Sequence, residues 1–123
     1  MAETKVVDLD ILRPPKKIVK IAGKQVDASY VPVALTFDID KLMRELATVT
    51  SEEGAAENEE ATRRVLDIEC ELCGLFASWQ HAELTGDFFK QNADVGQINA
   101  FVEVIRETLE RAYAGIEAHP GNA

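Results

Sequence analysis

Apolar and polar residues alternate with a period of two through two short runs near the amino terminus and with a helical period over most of the chain beyond residue 38. Val19 and Ile21 fall on one face of the first run, and Val26, Ala28 and Tyr30 on one face of the second. Lys20, Gln25, Asp27 and Ser29 point away. The runs meet at Gly23-Lys24 and predict a β-hairpin. A two-residue loop with Gly first suits a type II′ turn, since the positive φ it demands is cheap only for Gly and matches strand twist. A single hairpin is marginal in water. It therefore needs the downstream helices as a packing surface, which makes hairpin and helices one unit.

Ile39, Leu42, Met43 and Leu46 predict a first helix from Asp38 or Asp40 to about residue 47. Residues 48–58, TVTSEEGAAEN, are small and polar with Gly54 as a breaker, and read as a loop or frayed helix start. Ala61, Val65, Ile68, Leu72, Leu75, Phe76 and Trp79 form a continuous stripe, which predicts the main core helix over roughly residues 57–81. Its acidic leading end, Glu57, Glu59 and Glu60, suits the helix dipole. In LTGDFFKQNADVGQ, Thr85 is placed to cap a short turn that presents Phe88 and Phe89. Asp94 with Gln97 resembles a capping box opening a last helix over about residues 95–117. That helix carries Ile98, Phe101, Val102, Ile105, Leu109, Ala112, Tyr113 and Ile116 on one broad face. The predicted fold is mainly α, a small α+β unit: an N-terminal β-hairpin followed by a helical body with two long antiparallel amphipathic helices. Residues 1–15 form a flexible arm, 16–118 a single globular domain and 119–123 a mobile tail.

At 123 residues and 46% hydrophobic, the chain can bury a core without disulfides or metal. No apolar run approaches membrane-spanning length, and MAETKVVDLD lacks the features of a signal peptide, which predicts a cytosolic protein without a membrane partner. A net charge of −9, from 22 acidic against 13 basic residues, argues against nucleic acid, because phosphate binding needs clustered Lys and Arg.

Cys70 and Cys73 form a C-x2-C pair that His81 and His119 can complete only in principle as a zinc site. The favoured reading places both thiols on one helix face as small buried hydrophobes, with no cofactor. A redox pair would need the motif at a helix N-terminus, and Cys70 falls mid-helix. The chain contains no phosphate loop, GxSxG or HExxH. Glu52, Glu53, Glu57, Glu59 and Glu60 read as a solvated face, and His81 as a helix-end cation. The expectation is a non-enzymatic protein.

The succession DLDILRPPKK, IVKIAGKQVDASYVP and LTFDIDKLMREL, followed by two acidic amphipathic helices joined through LTGDFFKQNA, resembles the tail assembly chaperones of long-tailed bacteriophages and prophages. The resemblance spans most of the chain. It implies a non-enzymatic protein of the bacterial cytoplasm that keeps the long tape measure protein soluble while tail tube subunits polymerise around it, and that is absent from the mature virion. It makes the tape measure protein the client and the tail tube protein a further candidate partner, with self-association through a hairpin edge or exposed helix face. Phe88 and Phe89 are candidate contacts, against the alternative that both rings plug the end of the core. Val7, Leu9 and Ile11 alternate with polar residues and can add a strand to an edge or dock on their own domain, with Pro14-Pro15 as a stiff spacer. The competing reading is a small regulatory or metal-responsive module built on Cys70 and Cys73.

Overall fold

The computed structural model describes residues 4–52, 54 and 57–118, with the backbone alone for 115–118. His119 and the predicted tail, Glu53 and the Ile116 side chain lie outside what is described. β1 (Ile18–Ile21) and β2 (Lys24–Asp27) pair antiparallel, with Val19 opposite Val26 and Ile21 opposite Lys24. The loop is therefore Ala22-Gly23, one residue earlier than predicted. Both residues have positive φ, 52° and 73°, the signature of a type I′ turn in place of the expected type II′. Gly23 adopts this freely, whereas Ala22 carries a cost of about 1 kcal/mol that the inward Ile21 and Val26 on either side offset by burial. Ser29, predicted to face out, is buried. Its hydroxyl accepts the Lys17 N–H at 2.7 Å, and its own N–H donates to Asp27 at 2.9 Å.

These bonds give Asp27 a pH signature. Hydrogen bonding from Ser29, side chain then backbone, and the Lys16 ammonium 3.0 Å away outweigh desolvation and hold the carboxyl down from 3.8 to about 2. A carboxylate with a depressed folded pKa stabilises the fold above its unfolded pKa, and the contribution disappears as pH falls through the folded value. Asp27→Asn is therefore expected to melt below the parent at neutral pH, with the gap closing between about pH 4 and pH 2. Thermal melts across that window check it, and a gap independent of pH would remove Asp27 from the acid response.

Four helices follow: α1 (Val33–Ser51), α2 (Glu59–Ser78), α3 (Gly86–Asn92) and α4 (Val95–Ala118). α1 begins one to two turns earlier than predicted because Pro32, with φ −57°, precedes its first residue, and the buried stripe already starts at Leu35 before Ile39, Leu46 and Val49. It also runs past residue 47, since Val49 adds one more core position. Asn58 caps α2 by accepting from the Glu60 and Ala61 N–H groups. Thr85 accepts from Phe88 N–H at 3.2 Å, and Asp94 and Gln97 exchange bonds of 2.8 and 3.0 Å, so both predicted caps are present.

α1 and α2 form the antiparallel pair of long helices, their connection spanned by Arg64 and Glu52 at 3.9 Å. α2 also packs against α3 and α4. α3 folds back along α2, with Lys90 3.6 Å from Asp67. α4 then starts beside Leu66 and Asp67, reaches Cys73 at Ile98 and Phe76 at Phe101, and touches Ala28 of the hairpin at Thr108. The end of α2 reaches the same hairpin through Gln80 and His81, while Arg106, Leu109 and Tyr113 of α4 share a groove with Val65 and Glu69 of α2. The core is centred on Phe76, Phe89, Phe101, Leu72, Leu84, Ile39 and Ile105. Trp79, predicted to continue the α2 stripe, is exposed instead because the helix ends at Ser78. No helix among the described residues is long and apolar enough to cross a membrane.

Candidate binding surface

Among the described residues, the amino-terminal arm carries the longest run of exposed apolar side chains. Val6, Val7, Leu9, Ile11 and Leu12 are all at least 66% exposed. The arm does not extend the hairpin as a strand. Asp8 accepts the Asp10 N–H at 3.0 Å and folds Leu9–Leu12 into one 3-10 turn, an Asx-type local bond that outcompetes pairing. Arg13 closes the segment by lying 4.0 Å over the Tyr30 ring, and Pro14-Pro15 leads into the hairpin. The outer edge of β2 is also occupied: the Gln80 amide accepts from Asp27 N–H and donates to Asp27 C=O, both at 2.8 Å, acting as a one-residue substitute strand. His81 Nε2 sits 2.8 Å from the Gln25 carbonyl. His81 thus clips the end of the helix to the hairpin.

A second open apolar surface lies on the first turns of α1. Val33 is 86% and Phe37 81% exposed, one helical turn apart on the same face. From Phe37 a shallow groove of about 420 Å³, lined by both carboxylates and cations, continues past Asp40, Lys41, Arg44, Glu45 and Thr48 to Arg64 of α2. A deeper groove of about 530 Å³ runs between α1, α2 and α4, walled by Met43, Leu46, Val65, Leu109 and Tyr113. Glu69 stands in it, buried to 8% exposure. Desolvation raises its pKa, with Arg106 opposing. Turned to donate, the Asn99 amide lies 3.1 and 3.2 Å from the two carboxylate oxygens and ties α2 to α4. Glu69 was not legible as buried because a carboxylate is expected at the surface, although Ile68 and Cys70 beside it and Val65, Leu66, Leu72 and Cys73 one turn away are apolar.

The predicted contact residues divide. Phe89 is a core residue, stacked edge-to-face on Phe101 at 6.1 Å, so it is removed from the candidate contacts. Phe88 is half-buried beside it. Two adjacent positions of a short helix point about 100° apart, and α2 covers only one of them fully. Val7, Leu9 and Ile11 stay open. Cys70 and Cys73 are both free and buried. Burial pushes both thiols up, further for Cys73, which sits 3.9 Å from the Ile98 carbonyl. Among the described residues no three or more His, Cys, Asp or Glu side chains are grouped to hold a metal.

The chain matches no family model, no curated protein and no solved structure. The geometry of its own residues must therefore carry the assignment. For the thiols it makes a direct prediction. A thiolate is the reactive species, and here both thiols are buried and neither ionises readily. Iodoacetamide is expected to modify neither cysteine in the native protein at pH 8 over minutes, and both once urea is added. Rapid native labelling followed by mass spectrometry would contradict the packing of Cys70 and Cys73.

Proposed function

We propose that this protein is a non-enzymatic tail assembly chaperone of a long-tailed bacteriophage or prophage, acting in the cytoplasm of the bacterial host on the tape measure protein. The observation that carries the proposal is open apolar surface on a strongly acidic helical body: the arm, Val33 and Phe37 are unspent in a chain of net charge −9. Covering one such side chain with a client stabilises a complex by about 2 kcal/mol, while the surrounding charge keeps the complex from aggregating. A long helical protein with apolar stripes is the kind of client that this combination serves. The order of arm, hairpin and acidic helices, and its resemblance to tail assembly chaperones, supports the same reading.

The test is co-production with a tape measure protein from the same phage or prophage genome. The client is expected to move from the pellet to the soluble fraction and to co-purify with the tagged protein. Serine at Val7, Leu9 and Ile11 together is expected to reduce that capture without unfolding the body. A client that is equally soluble and unbound with and without this protein would end the proposal. The metal-responsive alternative gains no support from thiols that are buried and protonated.

A further inference from the structure

We infer that the outer edge of β1 takes an extended, acidic segment of another protein as a third strand. The hairpin has two edges, and only one is filled. The Ala28 N–H donates to the Lys17 carbonyl at 2.8 Å, and the register sets Val19 opposite Val26 and Ile21 opposite Lys24. Backbone groups of an antiparallel pair alternate in direction, so Val19 and Ile21 turn theirs toward β2, and Ile18 and Lys20 turn theirs outward. On β2 the outward groups belong to Gln25 and Asp27. His81 holds the Gln25 carbonyl, and the Gln80 amide holds the N–H and C=O of Asp27. On β1, among the described residues, no hydrogen bond reaches the outward groups of Ile18 and Lys20. Two donors and two acceptors therefore line an open edge, the arrangement that receives an added strand.

Charge selects the strand. Five of the residues from Arg13 to Lys24 are cations and none is a carboxylate, on a chain of net charge −9. Arg13 lies over Tyr30, and Lys16, Lys17 and Lys24 meet Asp27, Glu107 and Glu83 at 3.0, 3.1 and 3.3 Å. Lys20, at the middle of the open edge, is exposed and has no carboxylate at ion-pair distance among the described residues. A lysine on a strand edge repels a basic neighbour and leaves an apolar one beside an unpaired charge, whereas a carboxylate directly across from it is favoured. Ile18 shares the face of Lys20, is 47% exposed and is covered best by an apolar side chain. The segment that fits thus carries an apolar and an acidic residue two positions apart. The chain's own arm does not fill the edge, because it leaves β1 through Pro14-Pro15 and curls into the 3-10 turn. The edge shares no residue with the arm, Val33 or Phe37, on which client capture rests.

The experiment is amide hydrogen exchange of the isotope-labelled full chain, followed by NMR. In the protein alone, the Val19 and Ile21 N–H groups are expected to be protected and those of Ile18 and Lys20 to exchange freely. The probe is a blocked peptide of repeating Val-Thr-Glu-Thr at millimolar concentration, and it is expected to slow exchange at Ile18 and Lys20 at least ~10-fold. The same peptide with lysine in place of glutamate, and a fully N-methylated version, are each expected to bind at least ~10-fold more weakly. So is the parent peptide to Lys20→Glu, which reverses the charge at an exposed position, and to Ile18→Pro, which deletes an N–H that the hairpin does not use. Circular dichroism confirms the fold of both variants. Ile18 and Lys20 amides already protected in the free chain, no protection at saturating peptide, or equal binding of the basic or N-methylated peptide each overturns the inference. Protection that rises with protein concentration in the absence of peptide overturns it as well, by giving the edge to a second copy. Failure of client capture leaves these exchange rates unchanged, so the two proposals fail separately.

Discussion

Phe101→Ala is expected to lower the unfolding free energy by about 4 kcal/mol, the upper part of the range for removing a buried ring. Phe101 is the residue that holds three helices together. Its ring meets Phe76 of α2 edge-to-face at 6.0 Å and Phe89 of α3 at 6.1 Å, with interplanar angles of 82° in both cases. The cost has two parts. Apolar transfer and the residual cavity account for about 3 kcal/mol, and the two edge-to-face contacts add about 0.5 kcal/mol each. A domain of this size is stable by roughly 5–15 kcal/mol in total, so the variant is expected to sit near the edge of folding at 37 °C. Urea titrations followed by circular dichroism measure the change. Phe88→Ala, one residue from Phe89 but half-buried, is the internal comparison and is expected to cost well under half as much. Equal losses at Phe88 and Phe101 would mean that the ring cluster is not the centre of the core.

Gly74→Ala opposes two effects of different size. In the interior of α2, replacing Gly by Ala gains about 1 kcal/mol of helix propensity. Packing acts the other way. A Cβ at Gly74 would lie 2.1 Å from the Gly86 backbone nitrogen and 2.6 Å from its Cα. The obstacle is backbone, so no rotamer change relieves it, and α3 must move off α2. Overpacking of this kind costs about 3 kcal/mol, which exceeds the propensity gain. The expected result is a melting temperature lower by on the order of 10 °C. Gly96→Ala supplies the control. It lies in the first turn of α4, where the added Cβ meets only Asp94 Oδ1 at 3.4 Å, and the propensity gain is expected to appear uncancelled. Stabilisation by Gly74→Ala in calorimetry would show that α3 does not pack where Gly86 and Gly74 touch.

The candidate surface was legible where it depends on residues close in the chain and opaque where it depends on distant ones. Val7, Leu9 and Ile11 stood out as an alternating apolar run and are open as a run, although the Asp8 side chain turns them into a 3-10 turn instead of a strand. Phe88 and Phe89 were equivalent as letters. Only the seating of α3 on α2 made one of them core. Val33 and Phe37 were passed over because α1 was started too late; Pro32 followed by Leu35 was the available signal, since Pro fixes φ just ahead of a helix and Leu35 is one turn before Ile39. Gln80 carried no signal at all. Its pairing with Asp27 joins residues 53 apart in sequence.

Local rules were sufficient for the mainly α class, the hairpin, the caps at Thr85 and Asp94, and the burial of Cys70 and Cys73. Each is set by steric and hydrogen-bonding preferences within about four residues or by the period of the apolar pattern, which any window of the chain displays. Tertiary packing decided the return of α3 along α2, the burial of Glu69 and the exposure of Phe37. A helical stripe specifies that a face will be covered but not by which neighbour or in which sense. Here one neighbour was settled by Gly74 and Gly86, whose missing side chains let α3 fold back against α2.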